Sequence, residues 1–294
     1  MKPLKKEDIK QEVFDLYDDY AHNKLERRDF VQKLSVYAVG GLTVPSLMSF
    51  LMPDYQNTFL VDKNNPDLDS GFITYDSTKG GGEIKALLSK PKSIEDKLPG
   101  IVVVHENRGL NPYVEDTARR AALAGFVTIA PDALSPLGGY PGNDDEGREM
   151  QKTRDRDEML EDFIAAFEYL KNHENCNGKI GVVGFCFGGW ISNMMAVKVP
   201  DLAAAVPFYG GQPTEGIENI NAPLMLQYAG LDERVNAGWP AYEKALNELG
   251  KENVAYFYPE VNHGFHNTST PRYDEPAAEL AWSRTIEFFK EKLI

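Results

Sequence analysis

The chain carries two cysteines, Cys176 and Cys186, and the second lies in Val183-Gly184-Phe185-Cys186-Phe187-Gly188-Gly189. A strand-forming run, Lys179-Ile180-Gly181-Val182-Val183, precedes it, and a helix-forming run to about Lys198 follows. Glycine two places before and two places after a nucleophile, on a strand-to-helix turn, is the nucleophile-elbow pattern, here with cysteine in place of serine. The glycines have a physical reason: such a turn is strained, and side chains at the flanking positions would collide. The N-terminus of the following helix lies under the sulfur, and its dipole favours thiolate, the reactive form. Cys176, in Asn-Cys-Asn-Gly, reads as a turn residue, and two such cysteines make no disulfide framework.

An elbow nucleophile needs an acid and then a histidine later in the chain. The five histidines are His22, His105, His173, His263 and His266. His263 follows an expected strand in Pro259-Glu260-Val261-Asn262-His263-Gly264-Phe265, with His266 as its rival three residues on. Asp232, in Gly230-Leu231-Asp232-Glu233, stands just past another strand, with Glu233 the lesser choice. An acid there orients the imidazole and stabilises imidazolium. Cys186, Asp232 and His263 thus form a candidate triad for acyl transfer through a thioester. No metal site or cofactor is expected. His263 and His266 lack a nearby second cluster of ligands, two distant cysteines cannot complete a structural zinc site, and Gly80-Gly81-Gly82 lacks the Lys-Ser/Thr of a phosphate loop.

The elements that must position these residues alternate. Residues 72–75 and 84–88 read as an antiparallel pair. Strands at 101–104, 126–130, 179–183, 204–209, 224–228 and 255–258 alternate with helices at 112–124, 155–171, 187–198, 237–249 and 276–293. This alternation predicts an α/β fold with a mostly parallel central sheet and helices on both faces. The Gly/Pro-rich loop 135–145 leaves a strand's C-terminal end, where open sheets bind ligands, and reads as a wall or lid. With 45 acidic against 31 basic residues and a net charge of −14, the surface is wrong for sequence-neutral nucleic-acid binding.

Residues 1–52 read as an N-terminal arm of two helices, 53–70 as a linker and 71–294 as the catalytic domain. Arg27-Arg28-Asp29-Phe30 and the apolar run 34–44 are similar to a twin-arginine export signal, which would make the protein periplasmic. The acid-rich leader, its helical periodicity at Ile9, Val13, Phe14, Leu16, Tyr17 and Tyr20, and the poor cleavage site favour a folded arm and a cytoplasmic protein without a membrane span. Such an arm packs on the body or joins subunits of a homo-oligomer.

From about Gly71 to Ile294 the chain resembles the dienelactone hydrolase family (carboxymethylenebutenolidase-like) of the α/β-hydrolase superfamily. The matching pieces are Val104-His105-Glu106, the Cys186 elbow, Gly230-Leu231-Asp232 and His263-Gly264-Phe265. The run Glu106–Asn111, the segments 270–274 and 281–285, and the arm are similar to a bacterial subgroup of it. The resemblance implies a small ester or lactone as substrate. It implies that Glu106 contacts the resting thiol and shifts aside for substrate, and that the N–H groups of Phe187 and Asn107 form the oxyanion hole, worth about 3–4 kcal/mol each. Family members that act on dienelactone hold its carboxylate with two arginines. One position is Asn267 here, Arg148 is a candidate for the other, and Arg108 is a substitute. Tyr140, Trp239, Tyr209 and His266 are further candidates to line the substrate pocket. The alternative to an enzyme is a catalytically silent fold that binds a partner through the arm.

Overall fold

The structure, a computed structural model, describes residues 4–56 and 59–294. Three helices come first: α1 (Gln11–Ala21), α2 (Arg27–Leu34) and α3 (Val44–Leu51). α1 buries Val13, Phe14, Tyr17 and Tyr20 along one stripe, and Phe30, Leu34, Leu47 and Leu51 from the other two helices close on it. The arm therefore has an apolar cluster of its own. The expected second helix is two. Gly40 and Gly41 both take positive φ, which breaks it. Thr43 then starts α3 by a reciprocal cap, its Oγ1 accepting from the Ser46 N–H at 3.2 Å while Ser46 Oγ accepts from the Thr43 N–H at 2.9 Å.

The body runs β1 (Leu68–Ser77), β2 (Gly82–Pro91), β3 (Leu98–Val104), α4 (Pro112–Leu123), β4 (Val127–Pro131), α5 (Asp144–Lys152), α6 (Arg156–Lys171), β5 (Cys176–Phe185), α7 (Phe187–Lys198), β6 (Ala204–Phe208), β7 (Leu224–Ala229), α8 (Glu233–Asn236), α9 (Trp239–Glu248), β8 (Asn253–Tyr258) and α10 (Glu275–Leu293). The eight strands form one sheet in the order β1-β2-β4-β3-β5-β6-β7-β8. The β1/β2 and β2/β4 pairings are antiparallel, and the remaining pairings are parallel. This is the expected α/β-hydrolase architecture with an added helical arm.

The sheet separates two cores. Val102 and Val104 of β3 join α6, α7 and α9 on one face, whereas Ile101 and Val103 join α4 and α10 on the other. Burial on both faces is why β3 reads as an unbroken apolar run rather than an alternating one. Three readings need correction. β1 begins at Leu68, inside the expected linker. Cys176 opens β5 and packs in the first core rather than sitting in a turn. α5 begins inside the expected loop; its sequence, Asp-Asp-Glu-Gly-Arg-Glu-Met-Gln-Lys, has almost no apolar stripe to announce a helix. Among the described residues no helix is long and apolar enough to cross a membrane.

Candidate active site

Cys186 sits between β5 and α7 with φ 58° and ψ −110°, a conformation that a residue with a Cβ adopts only under constraint. The constraint is close backbone packing. A Cβ on Gly184 would run into the Gly188 carbonyl, and one on Gly188 into the Val104 carbonyl. One on Gly189 would lie 2.5 Å from the Phe208 carbonyl oxygen. The Cys186 N–H donates to Phe208 O at 3.0 Å, and its own carbonyl accepts from Gly189 and Trp190 N–H at 3.0 and 3.2 Å. The sulfur is thereby held above the sheet at the start of α7. Phe187 is the first residue of that helix, so its N–H has no acceptor within it.

Asp232 follows β7 and His263 follows β8, so both reach the same edge of the sheet. Asp232 Oδ1 accepts from the Val235 N–H at 3.1 Å and starts α8. Its Oδ2 lies 2.5 Å from His263 Nδ1, with both residues buried. The other ring nitrogen, Nε2, is also buried and has no hydrogen-bond partner. Burial opposes charge on the imidazole, but Asp18, then Asp232 and the Cys186 sulfur, outweigh it and push His263 up to about 10. His263 also pulls Asp232 below the usual carboxylate range against the cost of burial.

One further group on the sulfur was not visible in the sequence. His22, at the C-terminal end of α1, places Nε2 at 3.1 Å from Cys186 Sγ. Its Nδ1 lies 2.8 Å from the Asp18 carbonyl oxygen and 3.2 Å from Asp18 Oδ1. Asp18 in turn meets Arg234 Nε at 3.3 Å and Arg272 Nη1 at 3.4 Å. Burial alone would raise the Cys186 thiol, but His22 and then His263 hold it well below its ordinary value. A cleft of about 450 Å³, lined by Phe14 and Asp18 of the arm and by Asp232, Arg234, His263 and Arg272 of the body, opens beside these groups.

The other sequence candidates have mostly structural partners. Glu106 is buried and accepts from Asn267 Nδ2 at 2.7 Å; burial raises its carboxyl, and the group found against the sulfur is His22. Asn267 Oδ1 is taken by the Ser269 N–H and hydroxyl, so this side chain secures Glu106 rather than facing a ligand. Asn107 Nδ2 donates to the Ala21 carbonyl at 2.6 Å. Arg148 donates to Tyr20 O and Asn23 Oδ1, and Arg108 pairs with Asp144 at 2.8 Å and reaches Tyr17 OH. Both expected substrate arginines are therefore buried ties to the arm and its surroundings. Tyr140 donates to Asp144 Oδ1. Trp239 packs on Tyr228 and Tyr242 in the core. His266 is stacked on Phe185, bonded to Tyr113 OH, and held neutral by burial. Tyr209 lies nearer the chemistry: it is buried, and its ring centre is 4.8 Å from that of His263.

The sequence reading set His263 beside His266, but the histidine that the fold brings to it is His22. Cys186 Sγ and one ring nitrogen each of His22 and His263 lie within 4.8 Å of one another.

Comparisons with known proteins bear on this geometry. The profile of the dienelactone hydrolase family matches residues 84–293, and that of a YqhI-like family matches residues 1–39. "Protein usf" of Aquifex pyrophilus is 35% identical over 227 residues, which cover 73% of this chain and 96% of that protein. A "putative hydrolase fragment YghX" of Escherichia coli is 50% identical over 114 residues, 39% of this chain and 97% of that fragment. A "putative carboxymethylenebutenolidase" of Saccharolobus solfataricus is 29% identical, over 74% of this chain and 97% of its own length. The crystal structure of a "putative dienelactone hydrolase" from Klebsiella pneumoniae superposes with a TM-score of 0.66 at 24% identity, covering 76% of this chain and 99% of that one; at that identity the likeness speaks for the fold alone. With its family profile spanning most of the sheet and all of the elbow, acid and histidine positions, the chain is a hydrolase and belongs to the dienelactone hydrolase family.

Proposed function

We propose that the protein hydrolyses small carboxylic esters or lactones by covalent catalysis at Cys186, with His263 and Asp232 as its acid–base pair. The observation that carries this reading is the buried, unpartnered Nε2 of His263 beside a sulfur on a strained elbow, with Nδ1 already tied to Asp232. Attack by sulfur on the carbonyl carbon forms a C–S bond and places charge on the carbonyl oxygen. The Phe187 and Asn107 N–H groups receive that charge. Collapse expels the alcohol, which takes its proton from His263. The neutral imidazole then removes a proton from water, which attacks the thioester and releases the acid.

Dienelactone itself fits less well than a neutral ester or lactone. Asn267, Arg148 and Arg108 are all engaged with protein partners, so none of these three family positions offers a bidentate clamp to a substrate carboxylate. The folded state of the arm, with Phe30 and Leu34 fully buried, supports reading it as a working part of a cytoplasmic enzyme rather than as a cleaved signal.

The test is a p-nitrophenyl ester mixed with wild type and with Cys186→Ala. Release of p-nitrophenol and intact mass are followed together. Turnover with a transient acyl adduct on wild type only is the expected result. A folded wild-type protein that gives neither, across short esters and lactones, sinks the reading and leaves a silent fold that binds through its arm.

A further inference from the structure

Two carboxylate–imidazole pairs converge on one sulfur. Asp232–His263 comes from the body. Asp18–His22 comes from α1, and its Nε2 makes a hydrogen bond to Cys186 Sγ at 3.1 Å. His22 Nδ1 faces a backbone carbonyl at 2.8 Å, an atom that only accepts, so Nδ1 carries a proton; Nε2 lies between the sulfur at 3.1 Å and the donor Arg234 Nη2 at 3.2 Å, and is the nitrogen that exchanges a proton with sulfur. The arm that presents His22 is firmly seated. Tyr20 donates to Asp145 and Arg148 donates to the Tyr20 carbonyl. Arg272 and Arg234 hold Asp18, and Gln11 bonds to Asn262 beside His263.

We propose that His22 is a fourth catalytic residue: the Asp18–His22 pair keeps Cys186 as thiolate, which leaves the proton on His263 Nε2 for the departing alcohol. The inference rests on the cysteine-hydrolase reading and divides its labour. In a plain triad one imidazole must stabilise the thiolate and also serve the leaving group and water. Here the thiolate attacks while still paired with His22. The C–O bond breaks with its electron pair on the alkoxide, and His263 supplies that proton. His263, now neutral, takes a proton from the water that cleaves the C–S bond. The sulfur leaves as thiolate back to His22, and the carboxylic acid gives its proton to solvent. The unpartnered Nε2 of His263 is explained on this account: its acceptor is the substrate. The groups that set these charges are His22 and Asp18 from α1, Asp232 and Arg234 around the start of α8, His263 and Arg272 from the segment after β8, and Glu106 after β3.

The experiment is the pH dependence of Cys186 alkylation by iodoacetamide, followed by intact mass, in wild type, His22→Gln and His263→Gln. The expected result is an inflexion that rises by at least about one pH unit in His22→Gln, or about tenfold slower alkylation at pH 6, with a smaller shift in His263→Gln. Alcohol release from an alkyl ester is lost in His263→Gln. A shift carried wholly by His263→Gln, with none in His22→Gln, overturns the proposal. A second reading needs no change in the arm. In Cys186→Ser, ring ¹⁵N NMR should show the His22 titration midpoint at least about one unit lower than in wild type; an unmoved midpoint also overturns it. Alkylation reads the sulfur alone, so a wild type without esterase activity defeats the hydrolase reading while these titrations still decide the His22 pairing.

Discussion

Asp232→Asn changes one atom, and the structure says which way the new amide must turn. Oδ1 of Asp232 accepts from the Val235 N–H at 3.1 Å, and Oδ2 faces His263 Nδ1 at 2.5 Å. Asparagine has one acceptor to divide between these. If its oxygen stays with Val235, its NH₂ faces Nδ1, the imidazole must lose the Nδ1 proton, and the neutral ring carries its proton on Nε2. That tautomer cannot deprotonate water. If the amide turns the other way, the buried Val235 N–H loses its acceptor, at about 1–3 kcal/mol. Either arrangement also forfeits a charge-assisted bond worth about 1.5–3 kcal/mol. The two costs together, roughly 2.5–6 kcal/mol, correspond to a loss of about 10²–10⁴ in kcat, in line with the effect of the same change in serine-protease triads. The assay is single turnover with a p-nitrophenyl ester and intact mass. Deacylation should slow more than acylation, so the acyl adduct accumulates. A variant within tenfold of wild type, with no adduct building up, would refute the tautomer argument.

Phe30→Ala removes a fully buried ring stacked 4.5 Å from that of Tyr20, and should cost the arm about 3–5 kcal/mol. Limited proteolysis should then cut within residues 4–52 and esterase activity should fall with it, while an uncut, fully active variant would show the arm to be dispensable. Gly188→Ala should destabilise by at least about 2 kcal/mol, read as a lower chemical-denaturation midpoint, because its Cβ meets the Val104 backbone. The folded value of His263, about 10, lies above its ordinary 6.5, so charge on this ring stabilises the fold most below about pH 6.5. That contribution fades as pH rises through about 10; the Tm gap between wild type and His263→Gln should therefore shrink from pH 6 to pH 10.5, and a constant gap would contradict it.

The elbow, the acid and the histidine were legible because each obeys a local rule. Cys186 is announced by glycines its neighbours require, and Asp232 and His263 each follow an apolar strand. The sheet was legible for the same reason, through runs such as Ile101–Val104 that are buried on both faces. His22 was not, since nothing near it in the chain marks it out. It stands 164 residues from the sulfur it touches, at the end of an amphipathic helix whose pattern reports packing only. Arg108 and Arg148 show the converse limit. A sequence displays a charge but not its partner, and both were read toward substrate when Asp144 and the arm's backbone hold them. Asn267 likewise was read toward substrate, but only the fold reveals that it is committed to Glu106.

The span from His22 to His263 also sets an order of events during synthesis. The arm's apolar cluster lies wholly within residues 9–51, so it can condense soon after it leaves the ribosome. His263 is made 241 residues after His22, which at about 5–20 residues per second is a delay of roughly 12–48 s. Through that interval the nascent chain holds the residues of the Asp18–His22 pair but lacks His263 of the second. Cys186 emerges in between, while Arg234, Asn262 and Arg272, which anchor the arm beside it, are still to come. The growing polypeptide thus has its arm ready early and seated late: the sulfur, His22 and His263 come together only with the last strand and the loop beyond it.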